Sequence, residues 1–125
     1  MARILVIDDE SALRSVLGAA LLDAGHTVAL AADGRAGLHL ICTEPVDLVI
    51  TDLVMPDQDG IETIIALRHE NPALPVIAIS GDLHHAALYL EIARHLGVRR
   101  TLEKPFTAAA LLEAVDEILE RVCAV

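Results

Sequence analysis

The chain is 125 residues long with a formal net charge of −10; that length fits one domain, and that charge repels phosphate backbones and argues against direct nucleic-acid binding. Hydrophobic residues make up 54% but aromatics only 2%, so aliphatic side chains must fill the core and base stacking on aromatic platforms is not expected as a binding mode. No apolar stretch approaches the ~20 residues that cross a bilayer, and Asp8-Asp9-Glu10 breaks the first apolar run, so a cytoplasmic protein with neither membrane span nor signal peptide is expected. In chain order, Ile4-Leu5-Val6-Ile7 predicts a strand over 3–7 that ends on Asp8 and Asp9. A helical period follows over 11–24, with Ser11 placed to cap its start and Gly25 to close it in a left-handed turn. A second strand over 27–31 and a helix over 34–43 follow, the helix capped by Asp33. The third strand, 46–51, leads directly into Asp52. Asp59-Gly60-Ile61-Glu62 reads as a capping box, with aspartate in the Ser/Thr role, opening a helix over 60–70. Pro72 and Pro75 bracket the link to a fourth strand, 75–80, which ends on Ser80. Asp82 is placed to cap a helix over 84–96, closed by Gly97. A polar run over 99–103 suits an edge strand and hands over to Lys104, and Thr107 caps a last helix over 107–123.

Most of these strand runs are near-continuously apolar, the pattern of strands covered on both faces. Five strand–helix units in succession, without repeat or linker, predict one α/β domain over 1–125. Its strands would be parallel, its crossovers right-handed and its helices on both faces. Cys42 and Cys123 lack metal-ligand spacing and read as free thiols of a reducing compartment rather than as a disulfide.

In such sheets ligands gather beyond the carboxyl ends of the strands. Asp8, Asp9, Asp52, Ser80 and Lys104 all stand there. A single aspartate after a strand is most simply a cap. Three of them, joined by a hydroxyl and an ammonium, suit a divalent cation and a phosphoryl group better. The acids would repel one another without a cation, and a hard ion such as magnesium takes carboxylate oxygens together with a phosphate oxygen. One acid can then act as nucleophile toward phosphorus. Lys104, fixed by Pro105, can neutralise a phosphoryl oxygen, and Ser80 can donate to another.

The set Asp8-Asp9, Asp52 with Met55-Pro56 and Asp59-Gly60, Ser80-Gly81 and Lys104-Pro105-Phe106 resembles the receiver domain of bacterial two-component response regulators, in its stand-alone, chemotaxis-regulator-like form. The resemblance runs over essentially the whole chain. It implies a flavodoxin-like sheet in the order 2-1-3-4-5, with magnesium (or manganese) as cofactor. It implies Asp52 as phosphoacceptor, Asp9 as direct metal ligand, Asp8 as a ligand mainly through water, and the Val54 backbone carbonyl as a further ligand. Ser80 and Lys104 would contact phosphoryl oxygens, and the Lys104-Pro105 peptide would be cis. The implied partner is a sensor histidine kinase or phosphotransfer protein. The implied output is a changed affinity for a downstream protein that the sequence leaves unidentified. Such a domain is a self-phosphorylating and self-dephosphorylating switch, not a turnover enzyme, and without an output domain it reads as a relay or protein-binding regulator.

Two positions depart from the family's pattern. Thr101 stands where receivers often carry the aromatic residue that turns inward on activation. Output is therefore expected through the Ser80–His85 loop and the following helix, which holds Tyr89. Gly81 stands where alanine is usual, and glycine should loosen the loop and allow the phosphoryl group close approach. His84 and His85 read as solvent-facing, because adjacent helical residues point apart. Glu113, Asp116, Glu117 and Glu120 read as a solvated helix face. With Arg99 and Arg100 they could instead form an interface to a partner or a phosphorylation-dependent homodimer. Two other classes compete. One is a magnesium-dependent phosphohydrolase with Asp8 as nucleophile and Glu10 as acid; it usually has aspartate two residues on and more chain for a cap. The other is a flavin mononucleotide carrier, for which the charge of Asp8-Asp9-Glu10 has the wrong sign.

Overall fold

A computed structural model of the chain describes residues 2–53, 60–81 and 86–123. Strands β1 (Arg3–Ile7), β2 (Thr27–Ala31), β3 (Leu48–Asp52), β4 (Val76–Ser80) and β5 (Arg100–Glu103) alternate with helices α1 (Ser11–Asp23), α2 (Gly34–Thr43), α3 (Gly60–Glu70), α4 (Ala86–His95) and α5 (Ala108–Cys123). All strand pairs are parallel, in the order β2-β1-β3-β4-β5. The expected order therefore holds, with the chain reversing direction across the sheet between β1 and β3.

The two-residue period of a strand sends alternate side chains to opposite faces, and here it builds two cores. Ile4, Val6, Leu48, Ile50, Ile77 and Ile79 pack on one face with Leu17 and Leu21 of α1 and Leu111, Val115 and Ile118 of α5. Leu5, Ile7, Val49, Val76 and Ala78 pack on the other with Ile64 and Leu67 of α3 and Leu90 and Ala93 of α4. Each fully buried Leu or Ile contributes about 1.5–3 kcal/mol. The central strands β1, β3 and β4 are covered on both sides as their composition predicts. The apolar run of β2 is not: it forms an edge and is half exposed.

The capping chemistry holds at two helices. Asp33 accepts from the Ala36 amide at 2.8 Å, and Thr107 from the Ala110 amide at 3.0 Å. Gly25 and Gly97 take positive φ values of 97° and 87°, as left-handed closures require. Ser11 departs from expectation. It is the first helical residue of α1, Glu10 holds the cap position, and no side chain bonds there. Asp59, Asp82, His84 and His85 lie outside the described residues. Cys42 is a free, exposed thiol. Among the described residues no helix is long and apolar enough to cross a membrane.

Arg68 was not singled out in the sequence, yet it ties three segments together. Its guanidinium donates to the carbonyls of Pro72 (2.8 Å) and Leu74 (3.2 Å) before β4, and to those of Leu96 (3.2 Å) and Gly97 at the end of α4. Four carbonyls around one cation fix α3, β4 and the end of α4 relative to one another.

Candidate functional site

β1 delivers Asp8, whose amide extends the ladder to the Ala31 carbonyl at 3.1 Å. The side chain is 1% exposed. Its Oδ1 accepts from the Glu10 amide at 2.9 Å, and its carbonyl accepts from Nη1 of Arg14 at 2.7 Å. The turn out of β1 is thus held from both sides, while Asp9 next to it stays exposed. β3 delivers Asp52, 3% exposed and paired in register with Ile79 of β4. β4 ends on Ser80, fully buried, whose carbonyl accepts from the Lys104 amide at 2.8 Å. That bond continues the β4–β5 ladder by one step and brings Lys104 beside the acids.

The Lys104 ammonium donates to Oδ2 of Asp52 at 2.9 Å and lies 3.7 Å from Oδ2 of Asp8. Carboxylate oxygens of Asp8, Asp9 and Asp52 all lie within 4.8 Å of one another. Two buried polar atoms here make no hydrogen bond: Oδ2 of Asp8 and Oγ of Ser80. Leaving a buried polar atom unmatched costs about 1–3 kcal/mol, so each marks a place where a ligand would be favoured. The donor set is all oxygen and close together, which fits a hard divalent cation. An orphaned hydroxyl at the end of β4 and an ammonium from the end of the adjoining β5 fit an anionic oxygen.

Charge and burial compete in this cluster. Burial pushes the Asp8 carboxyl above its ordinary range; the Glu10 amide pulls it back, and the neighbouring Asp52 charge adds to the rise. Burial works against the Lys104 ammonium, but the hydrogen bond and charge of Asp52, with Asp8 and Glu10 behind it, outweigh that and raise its pKa. Lys104 is the only lysine in the sequence.

Asp8, Asp9, Asp52, Ser80 and Lys104 therefore converge, and the Lys104-Pro105 peptide is cis. Val54, Met55 and Pro56 lie outside the described residues. Thr101 is half-buried in β5 and accepts from Nη2 of Arg94 in α4 at 3.2 Å. The position thus links β5 to α4 through a hydroxyl rather than a ring. On α5, Glu113, Asp116 and Glu120 are exposed as expected, and Glu117 forms an ion pair with Arg100.

Arg14 is a contributor that the sequence did not mark, and Gly60 is one that it marked without its reason. Arg14 has no marker there, being one of several helical arginines. Gly60 does have one, its place after Asp59, but the reason is spatial. A Cβ at Gly60 would lie 2.3 Å from the Asp52 carbonyl oxygen and 2.4 Å from Leu53 Cα. Its amide donates to the Leu53 carbonyl at 3.0 Å, so the backbone leaving the site closes on itself at this glycine.

A family model described as "Response regulator receiver domain" matches residues 4–116. The transcriptional regulatory protein GlrR of Escherichia coli (strain K12) is 35% identical over 120 residues, which cover 96% of this chain and 27% of that protein. The transcriptional regulatory protein CusR of the same strain is 35% identical over 125 residues, covering 98% and 53%. This chain thus spans only about a quarter to about half of the length of these curated relatives. Among solved structures, a response regulator receiver domain protein from Clostridium thermocellum superposes with a TM-score of 0.91 at 30% identity, covering 99% of this chain and 98% of that one.

Proposed function

The chain belongs to the response regulator receiver family, and from that membership we propose that Asp52 accepts a phosphoryl group from a phosphohistidine of a sensor kinase or phosphotransfer protein. The observation that carries the proposal is the meeting of three carboxylates within 4.8 Å, a lysine on Asp52 at 2.9 Å and a buried hydroxyl without a partner, all at strand carboxyl ends. An oxygen of Asp52 attacks phosphorus; the P–N bond of the donor breaks, and the imidazole leaves and takes up a proton. Lys104 neutralises a phosphoryl oxygen and Ser80 donates to another. Asp8, Asp9 and Asp52 would hold magnesium or manganese, with the Val54 carbonyl as a further ligand, and the ion would offset the negative charge gathered by the acids and the phosphoryl group. Arg14 and the Glu10 amide keep the Asp8 turn in place.

The switch follows from the same contacts. A hydrogen bond from Ser80 to a charged oxygen is worth about 1.5–3 kcal/mol. Inverting a two-state equilibrium from 1:99 to 99:1 takes about 5.5 kcal/mol, so Ser80 and Lys104 must act together. Both pull on the end of β4, which leads to α4, and Arg94 with Thr101 couples α4 to β5. We read the domain as a cytoplasmic switch whose partner senses that surface, and not as a turnover enzyme.

The test is labelling with acetyl [32P]phosphate in magnesium buffer. Label should appear in the wild type and in Asp8→Asn, weakly, and be absent from Asp52→Asn. Label that survives in Asp52→Asn but is lost in Asp8→Asn would favour the phosphohydrolase instead.

A further inference from the structure

The backbone does not ask for glycine at position 81. Among the described residues, positive φ is confined to Gly25 and Gly97, so an L residue at 81 would suffer no backbone strain. The residue is also exposed. What a side chain would meet is the stem of Lys104. A Cβ at 81 would lie 2.7 Å from Lys104 Cδ, 3.3 Å from its Cβ and 3.4 Å from its Cγ. Carbon atoms in good contact stand about 3.5–4.0 Å apart, so alanine here would have to lift the stem.

The stem has little freedom to yield. Its root is fixed by the amide bond to the Ser80 carbonyl at 2.8 Å. Its head is held by Asp52 at 2.9 Å, with Asp8 at 3.7 Å. Between these two anchors the methylenes cross residue 81. The sequence leads one to expect that glycine loosens the loop and allows the phosphoryl group close approach; the structure adds that the Lys104 stem lies against this residue.

We propose that Gly81 is a positioning residue for Lys104: the missing side chain lets the lysine stem lie across the end of β4, and this sets how closely its ammonium approaches Asp52 and Asp8. The contact stands on geometry alone, while its chemical consequence rests on the phosphoacceptor reading above. An ammonium held there occupies carboxylates that a cation would share, and it waits where the phosphoryl oxygen arrives. Lifting the stem therefore has two effects of opposite sign: the cation binds more tightly and phosphoryl acceptance slows. A general loss of structure would weaken both.

Wild type, Gly81→Ala, Lys104→Ala and the double variant are compared by magnesium calorimetry and by the rate of labelling from acetyl phosphate at saturating magnesium. A displacement of about 1 Å at an effective dielectric of about 20 changes the pull of Lys104 on Asp8 by about fivefold in an equilibrium constant. Gly81→Ala should accordingly bind magnesium about fivefold more tightly and take up label several-fold more slowly. It should change neither constant in the Lys104→Ala background. Constants equal to wild type in a folded Gly81→Ala protein, or equal changes with and without Lys104, overturn the proposal. If Gly81→Ala fails to fold, the double variant must regain the fold, since the 2.7 Å clash with Cδ is gone and only the 3.3 Å approach to the Cβ at 104 remains; failure there also overturns it. A wild type that takes no label, with magnesium constants still shifting as stated, removes the phosphoacceptor reading and leaves the positioning role standing.

Discussion

Asp8→Asn should make the metal-free protein more stable. Asp8 is 1% exposed and has a carboxylate oxygen within 4.8 Å of oxygens of Asp9 and Asp52. At that separation and an effective dielectric of about 20, a like pair repels by about 3.5 kcal/mol. Lys104, 3.7 Å away, attracts by about 4.5 kcal/mol on the same scale. Asp9 is exposed, and water screens most of its share. The Asp52 and Lys104 contributions nearly cancel, so the cost of burying the charge decides the balance. The raised Asp8 pKa has that sign, with burial as its largest cause. Asparagine keeps the acceptor for the Glu10 amide and removes the buried charge. We expect a gain of about 1–2 kcal/mol, which for a chain of this size is about 3–8 °C in melting temperature. A carboxyl with a raised folded pKa loses stability as pH rises from its ordinary value of 3.8 through the folded one. The advantage of the variant should therefore vanish toward pH 3.8 and be complete at neutral pH. In magnesium at about twenty times its Kd the wild type should gain about 1.8 kcal/mol, and the variant much less. Thermal melts with EDTA and with magnesium, across pH, measure all of this. A variant less stable than wild type in EDTA at pH 7, or one with an undiminished magnesium response, would refute the reasoning.

Ser80→Ala removes a buried hydroxyl without a partner, so urea unfolding should show the metal-free protein unchanged or up to about 1 kcal/mol more stable. Its affinity for beryllofluoride should fall about tenfold or more, the loss of one charge-assisted bond. Gly60→Ala drives a Cβ into the Asp52 carbonyl and Leu53 Cα, backbone atoms that cannot step aside; denaturation should show a loss of about 3 kcal/mol or more. Lys104 has a raised pKa, so its stabilising pair with Asp52 is intact below 10.5 and is lost as pH rises through the folded value. Above pH 10.5 the wild type should lose stability more steeply than Lys104→Met, as read by circular dichroism.

The outline of the molecule was legible because its signals are local. Hydrophobic period separates strands from helices, and a strand's carboxyl end is visible as the polar residue that ends an apolar run: Asp8, Asp52 and Ser80 came from that rule, and Lys104 from its place directly after the polar edge run 99–103. Other features depend on neighbours that the local pattern does not contain. The run 27–31 is as apolar as the central strands, yet it is an edge, because edge or centre is fixed by which strands lie beside it. Ser11 has capping chemistry, but the chain enters α1 one residue earlier. Arg14 and Arg68 look like other helical arginines until the carbonyls of Asp8, Leu74 and Leu96 are brought to them.

The same division runs through the site. Residue types and their place at strand ends are one-dimensional facts, and they determined that acids, a hydroxyl and one lysine would meet at one edge of a parallel sheet. Only the packed structure decided how they meet: which oxygens of Asp8 and Ser80 are left unmatched, where Lys104 rests, and that Gly60 and Gly81 are glycines for want of space and not for their backbone angles. Burial, pairing distance and steric room are properties of pairs of residues far apart in the chain, and folding alone sets those pairs.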